Sequence, residues 1–212
     1  MRPPQSWRSA RLTVGIAAAT ALAWLVVAAA GLSDEAAIWG GFIPYRLGMA
    51  EGRWMAPFAL TPLTATLLHG GFAHVALNLV IHLFCGRSIE AVLGKAGLLT
   101  LYVLGAYGAA AVHFALDPVS AHPMIGASGA ISALIGAYAM LFGRNKVRVA
   151  DPRLAAMIHG AWLFAAWFVI QLAATFALRT LGVHVSFGAH VGGFFIGVLL
   201  ARPLLLFRYR KA

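Results

Sequence analysis

A serine between glycines, Ser128, is the residue in this sequence best placed to act as a nucleophile. It follows the pair His122-Pro123 and begins an apolar run that is predicted to be helical. Gly126 and Gly129 let the backbone turn tightly and approach a ligand closely. A helix beginning near Ser128 would direct unpaired N–H groups and its positive end toward the atom that the hydroxyl attacks. The same pattern also fits close packing of small residues between membrane helices.

The composition places the chain in a membrane. Of 212 residues, 61% are hydrophobic and 10% are charged, the mean hydropathy is +0.84, and several apolar runs reach the ~20 residues of a spanning helix. The single cysteine, Cys85, excludes an internal disulfide and is expected to be a small hydrophobic residue. The net charge of +10 could suggest nucleic acid, but its distribution fits membrane topology instead. We expect an all-α membrane protein with one domain over residues 1–212, and no nucleic-acid partner.

Six apolar segments are predicted to cross the bilayer. They cover residues 12–32, 67–85, 96–116, 128–143, 154–178 and 188–207. Lys and Arg fall mainly in the leader, the second and fourth loops and the C-terminal tail, whereas the other side has only Arg46, Arg53 and Arg179. By the positive-inside bias, both termini are cytoplasmic.

Three further segments need an interpretation. Residues 1–10 are predicted to be a short cytoplasmic leader. A signal peptide is the alternative, but the run 12–32 is longer than the usual signal core of about 7–15 residues. Residues 33–66 interleave charged residues with aromatics, Gly and Pro, which predicts a first loop lying in the membrane interface. Residues 86–95 are predicted to form a short polar turn.

The topology predicts that Ser128 lies in a pocket below the outer surface. The fourth segment is about 24 Å long at 1.5 Å per residue, shorter than the ~30 Å hydrocarbon core. The preceding loop, 117–127, must then dip into the protein, because irregular backbone cannot face lipid. His74 and Asn78 share one helix face, and His190 lies near the outer start of the sixth segment, at a similar depth. Polar groups buried in a membrane favour a functional interpretation.

These polar residues also have other interpretations. His69, His74 and His190 could bind a metal, but no carboxylate or thiolate shares their depth, so no metal is expected. Gln171 fits either an interhelical hydrogen bond or a pocket residue. A small transporter or channel would show internal repeats and intramembrane carboxylates, and the sequence has neither. The remaining histidines are expected to form interhelical hydrogen bonds or to lie in loops. They are His82, His113, His122, His159 and His184.

Three motifs resemble those of the rhomboid family of intramembrane serine proteases. HGGFAHVALN, at 69–78, is similar to the family's H-x-x-x-x-H-x-x-x-N on the second helix, and GASG, at 126–129, is similar to G-x-S-G at the start of the fourth. AHVGGFFIG, at 189–197, is similar to A-H-x-x-G-x-x-x-G on the sixth, and residues 86–90 resemble a G-x-x-x-E turn. The resemblance covers residues of about 60–200, and the order and spacing of the motifs make it specific.

The resemblance implies a six-helix rhomboid bundle that cleaves single-pass membrane proteins in or near their transmembrane segment. Ser128 would be the nucleophile and His190 the general base and acid. His74, Asn78 and the Ser128 backbone N–H would form the oxyanion hole, with Gly126 in the substrate-facing turn.

The resemblance also implies a bacterial inner-membrane protein with its active site open to the outer side, and no cofactor. His69 would order a loop, while Gly193 and Gly197 would let the sixth helix pack closely on the fourth. The alternative is a catalytically inactive relative that binds membrane helices without cutting them.

The sequence departs from the family pattern in two places. Rhomboids often carry Trp-Arg before the second helix, where this sequence has Leu60-Thr61, so the anchoring of the first loop is open. An aromatic residue often lies one turn after the nucleophile, beneath the catalytic histidine, but that position is Ser132. Another group must then orient His190, and Tyr138 and Phe187 are candidates.

Overall fold

The computed structural model describes residues 7, 9–50, 52–143, 149–180 and 186–210, without the side chains of 174, 175 and 177–180. Most of the predicted leader, part of the basic loop after the fourth segment and most of the last loop, with His184, lie outside these ranges.

Seven α-helices make up most of the described residues, which contain no β-strand. They are α1 (Arg11–Ala29), α2 (Ser33–Gly40), α3 (Thr61–Thr64), α4 (Phe72–Leu116), α5 (Ser128–Phe142), α6 (Pro152–Thr180) and α7 (Phe187–Arg208). Three short 3-10 helices, Pro44–Arg46, Phe58–Leu60 and Ala65–Leu67, lie in the first loop. The all-α prediction is confirmed.

The helices account for six membrane crossings. By length and apolar composition, α1, α4, α6 and α7 could each span a bilayer. The 45 residues of α4 would extend about 67 Å at 1.5 Å per residue, roughly twice the hydrocarbon thickness. Because α4 breaks at Gly94 (φ 73°), its two halves form the second and third crossings. The 15-residue α5 is apolar but short, as expected.

Two predicted boundaries of the second crossing are wrong. The helix begins at Phe72 and not at Leu67, so His69 lies in the turn before it. The predicted polar turn over 86–95 is helical up to the break at Gly94.

Glu90, a polar residue in this predicted turn, is only 2% exposed and accepts hydrogen bonds from the neighbouring helix α1. Its carboxylate accepts hydrogen bonds from the backbone N–H groups of Leu12 and Thr13 (3.0 and 2.8 Å) and from the Thr13 hydroxyl (2.7 Å). A carboxylate here satisfies first-turn donors of α1 and lies at the positive end of its dipole.

The middle of the bundle depends on close contact between α5 and α7. A Cβ on Gly193 would collide with the carbonyl of Gly129, and one on Gly197 would collide with the carbonyl of Ala133. The missing side chains therefore let the two backbones touch. The predicted small-residue face of α7 is confirmed.

A buried arginine anchors the first loop. Arg46 is 9% exposed, and its guanidinium donates to the carbonyls of Ile38 (3.4 Å) and Ala56 (3.1 Å). The first loop therefore has an arginine anchor, although the sequence has Leu60-Thr61 where the family often has Trp-Arg.

Candidate active site

Ser128 and His190 form a hydrogen-bonded pair where α5 and α7 meet. Ser128 is the first residue of α5, and His190 lies in the first turn of α7. The Ser128 Oγ and His190 Nε2 atoms are 2.8 Å apart. This distance is within the hydrogen-bonding range expected of a nucleophile and its general base. The glycine contacts between the two helices bring the pair together.

The other ring nitrogen of His190 contacts α6. His190 Nδ1 lies 2.9 Å from the Oε1 atom of Gln171. The sequence left the role of Gln171 open, and the structure places it at the histidine. The Ser132 hydroxyl donates to the carbonyl of Ser128, one turn earlier (2.8 Å).

The two side chains considered as orienting groups for His190 pack elsewhere. The Tyr138 ring packs between Phe84 and Phe142, and the Phe187 ring packs on Phe168. The signal that could have identified Gln171 was a polar residue within an otherwise apolar span, but its helix face could not be fixed from spacing alone.

Backbone hydrogen bonds hold the segment that leads into Ser128. Gly126 has a φ of +110°, a left-handed conformation that favours glycine. Its N–H donates to the carbonyl of Ala65 (2.8 Å). Just before it, Met124 and Phe42 exchange N–H···O bonds of 3.0 and 2.8 Å. The first loop thus fixes the turn from which α5 begins.

His69 supports the same turn. The N–H of Ala127 donates to His69 Nε2 (3.4 Å), so this nitrogen must carry a lone pair. Burial first, and then the neighbouring His74, lowers the pKa of His69 from its ordinary 6.5 to about 4. His69 is therefore neutral at pH 7 and can accept this bond, as expected of a loop-ordering residue.

His74 faces the same small space as the Ser128 hydroxyl. A Cβ added to Gly126 would lie 2.7 Å from His74 Nε2 and 3.8 Å from Ser128 Oγ. The N–H of Gly70 donates to His74 Nδ1 (3.4 Å), which leaves the ring hydrogen on Nε2 in the neutral form. His74 can therefore donate a hydrogen bond beside the Ser128 hydroxyl.

Asn78 lies one turn further along α4 and is buried, with 5% exposed. Its amide nitrogen donates to the carbonyl of His74 (3.0 Å). With Ala127 and Ile131 it also lines a narrow internal space beside the start of α5. Because an amide nitrogen carries two hydrogens, the bond to His74 leaves one for another acceptor.

Other histidines have structural contacts. His82 Nε2 lies 3.0 Å from the carbonyl of Thr13, and His113 Nδ1 lies 2.8 Å from the Ser186 hydroxyl. The first bond joins α4 to α1, as expected, and the second joins α4 to the residue that precedes α7. Within the described ranges, no three His, Cys, Asp or Glu side chains are grouped to hold a metal ion.

Residues 59–207 match the Rhomboid domain family. The chain belongs to this family. The match covers the predicted motif region and the candidate site residues from His69 to His190.

Several relatives are similar to this chain. The rhomboid protease GluP of Bacillus subtilis is 28% identical over 158 residues, which are 73% of this chain and 28% of the relative. RHOMBOID-like protein 5 of Arabidopsis thaliana is 31% identical over 137 residues, or 64% of this chain and 42% of the relative. The rhomboid protease GlpG of Pectobacterium atrosepticum is 30% identical over 137 residues, or 64% and 45%. The matched part of this rhomboid chain spans less than half the length of each.

Proposed function

We propose that this rhomboid protein is an intramembrane serine endopeptidase that hydrolyses a peptide bond in or near the transmembrane segment of single-pass membrane proteins. The observation that carries the proposal is the 2.8 Å contact between Ser128 Oγ and His190 Nε2, at the start of a helix within an apolar bundle. Family membership and protease-named relatives support the same reaction class.

In the acylation half, Ser128 Oγ attacks the scissile carbonyl carbon while His190 Nε2 accepts the hydroxyl proton. The C=O electron pair moves onto the oxygen to give a tetrahedral oxyanion. When this collapses, the C–N bond breaks and His190 delivers the proton to the leaving amine. The product is an ester between Ser128 and the N-terminal fragment of the substrate.

In the deacylation half, a water molecule replaces the amine. His190 Nε2 takes a proton from the water, whose oxygen attacks the ester carbon, and the proton then returns to Ser128 Oγ. The products are a carboxylic acid and the free hydroxyl. This half requires water at a site within the bilayer, which a pocket open to the outer side would admit.

The oxyanion would be stabilised by donors that converge near Gly126. The backbone N–H of Ser128 lies in the first turn of α5, where N–H groups lack intrahelical partners. The His74 Nε2–H faces the same space, and the second amide hydrogen of Asn78 is the third donor. Donors fixed at a developing charge in a dry site lower the barrier by a few kcal/mol each.

The substrate class follows from what a helix must do before it can be cut. A helical substrate protects its peptide bonds, so a short stretch must unwind at the site. Small or helix-breaking residues near the scissile bond reduce the cost of unwinding. Cleavage would occur near the outer end of the substrate helix, in a bacterial inner membrane where both termini of this chain are cytoplasmic.

A binding protein without catalysis is the second candidate. It would use the same bundle to hold membrane helices, and Ser128 would then be a packing residue. The short Ser128–His190 contact and the donors beside Gly126 favour the protease, since binding alone requires neither.

The test is cleavage of a single-span reporter in proteoliposomes by wild type, Ser128→Ala and His190→Ala. We expect wild type to cut and both variants to lose activity by at least about a thousandfold while remaining folded. Two reporters that differ by a Gly pair within a poly-Leu span would test the unwinding requirement, with faster cleavage of the Gly-containing span. Equal binding of a membrane helix by all three proteins, with no cleavage, would instead establish the binding protein.

A further inference from the structure

We propose that Gln171 is a positioning residue that holds His190 in the tautomer required of the general base. This proposal rests on the Ser128–His190 chemistry proposed above. Its basis is a chain of three side chains from three helices: Ser128 Oγ to His190 Nε2 at 2.8 Å, and His190 Nδ1 to Gln171 Oε1 at 2.9 Å.

The positions of the hydrogens follow from the reaction. For His190 to take the proton of Ser128, Nε2 must carry a lone pair, so in the neutral ring the hydrogen must lie on Nδ1. An Nδ1–H group needs an acceptor, and Gln171 presents its amide oxygen there. The opposite tautomer would place a hydrogen on Nε2 and leave no base for Ser128.

The same bond strengthens during the reaction. When Nε2 takes the proton, the ring becomes an imidazolium and its Nδ1–H becomes a stronger donor to the Gln171 oxygen. No proton passes to Gln171. The amide therefore stabilises the charged ring more than the neutral one, which lowers the barrier to attack.

A neutral amide suits this location. A carboxylate would be a better acceptor in water, but an ionised side chain within a membrane span is costly. The fourth and sixth predicted segments of the sequence contain no Asp or Glu. Gln171 supplies the acceptor without placing a charge in the bilayer.

The packing of α6 on α7 aims Gln171 at the histidine. Trp167 and Phe168 lie four and three residues before Gln171, on the same helix face. The Trp167 ring stacks on Phe194 (centroids 5.0 Å apart, 11° between planes), and the Phe168 ring packs on Phe187 (5.1 Å). These contacts fix the rotation of α6 about its axis. The hydrogen bond to His190 therefore requires α6 to be docked on α7.

Three variants separate positioning from simple packing. Gln171→Met keeps an unbranched side chain of similar length but removes the amide oxygen. Gln171→Glu restores an oxygen acceptor in either protonation state of its carboxyl group. Phe164→Leu is the packing control, since it weakens the contacts of α6 with Phe194 and Phe195 of α7 two turns before Gln171.

We expect Gln171→Met to lower kcat about tenfold, the rate equivalent of one hydrogen bond, with KM changed less than about twofold. Gln171→Glu should recover most of kcat. Phe164→Leu should lower the melting temperature without this split between kcat and KM. Unchanged kcat in Gln171→Met, or equal losses in the Met and Glu variants, would overturn the proposal.

A spectroscopic measurement distinguishes failure of this inference from failure of the proposed function. Nitrogen-15 chemical shifts of labelled histidine, assigned by loss of signals in His190→Ala, report which ring nitrogen carries the hydrogen. We expect an Nδ1-protonated ring in wild type and a mixture of tautomers in Gln171→Met, whether or not a reporter is cut. An Nε2-protonated ring in wild type would refute the role of Gln171. Absence of cleavage and of Ser128 labelling by a fluorophosphonate, with the Nδ1 tautomer intact, would refute the protease function alone.

Discussion

At the scale of single residues, the site depends on one backbone position that only glycine can occupy without strain. Gly126 combines a φ of +110° with a position so near the His74 ring that an added Cβ would lie 2.7 Å from Nε2. It lies between Ser128, the proposed nucleophile, and His74, a proposed oxyanion donor. A side chain there would fill the space that the substrate carbonyl would enter in the proposed reaction.

We therefore expect Gly126→Ala to abolish most turnover while Ser128 and His190 remain in place. The added Cβ would lie 2.7 Å from His74 Nε2, so the ring must move from the space that it shares with Ser128 Oγ. Loss of one oxyanion donor lowers kcat by about 100- to 1,000-fold. The measurement is kcat on a reporter helix in proteoliposomes.

Gly70→Ala is the matched control. A Cβ there would meet only Ile125, at 3.9 Å, and the backbone N–H that His74 accepts would remain. We expect it to cut at close to the wild-type rate. Comparable turnover in the two variants would show that the space beside Gly126 is not used by the substrate.

The sequence allowed some of these residues to be predicted and not others. Ser128, His190 and His74 lie in motifs with fixed order and spacing, so their proximity could be expected from the family resemblance alone. Gln171 lies 19 residues from its partner, on a helix whose rotation depends on ring packing between α6 and α7. Local spacing does not determine that rotation, and so the group beside His190 could not be named.

At the scale of elements, a buried carboxylate joins α1 to α4. Glu90 accepts bonds from Leu12 and from both donors of Thr13, and Thr13 itself is fully buried. Burial of an acidic residue is tolerated when its oxygens are satisfied by several donors. These hydrogen bonds align the first crossing with the second.

Glu90→Gln should destabilise the bundle by about 2 kcal/mol, because the amide replaces an acceptor oxygen with an NH₂ group that faces other donors. The free energy of unfolding can be measured by denaturant titration in mixed micelles. The control is Glu35→Gln on α2, where the carboxylate is exposed and its loss should cost only a few tenths of a kcal/mol. Equal stability of the two variants would mean that the bonds to α1 contribute nothing.

The same carboxylate explains why the second crossing was predicted with the wrong end. From the sequence alone, a polar cluster at 86–90 predicts a solvent-exposed turn, because its hydrogen-bond partners are not known. The Glu90 carboxylate of this cluster is satisfied inside the protein by hydrogen bonds from α1, which is distant in sequence. The break between the two halves of α4 depends on one residue, Gly94. Its left-handed φ could not be predicted from composition. The apolar segments themselves were predicted because hydropathy depends on local sequence alone.

At the scale of the whole molecule, the number of crossings determines which groups can share a compartment. Between the loop before Ser128 and the end of α7 the chain crosses three times, through α5, α6 and α7. An odd number of crossings places the two ends on opposite sides. By the positive-inside bias, we propose that the end of α7, with its basic residues Arg208 and Arg210, is cytoplasmic.

Cysteine labelling would test this arrangement. In a Cys85→Ser background, His122→Cys in the exposed loop and Tyr209→Cys after α7 provide one reactive thiol on each side. We expect a membrane-impermeant maleimide to label position 122 only in right-side-out vesicles and position 209 only in inverted ones. Labelling of both from one side would require an even number of crossings between them. Labelling of position 122 from the cytoplasmic side would separate the proposed pocket at Ser128 from the outer side, and with it the proposed entry of water.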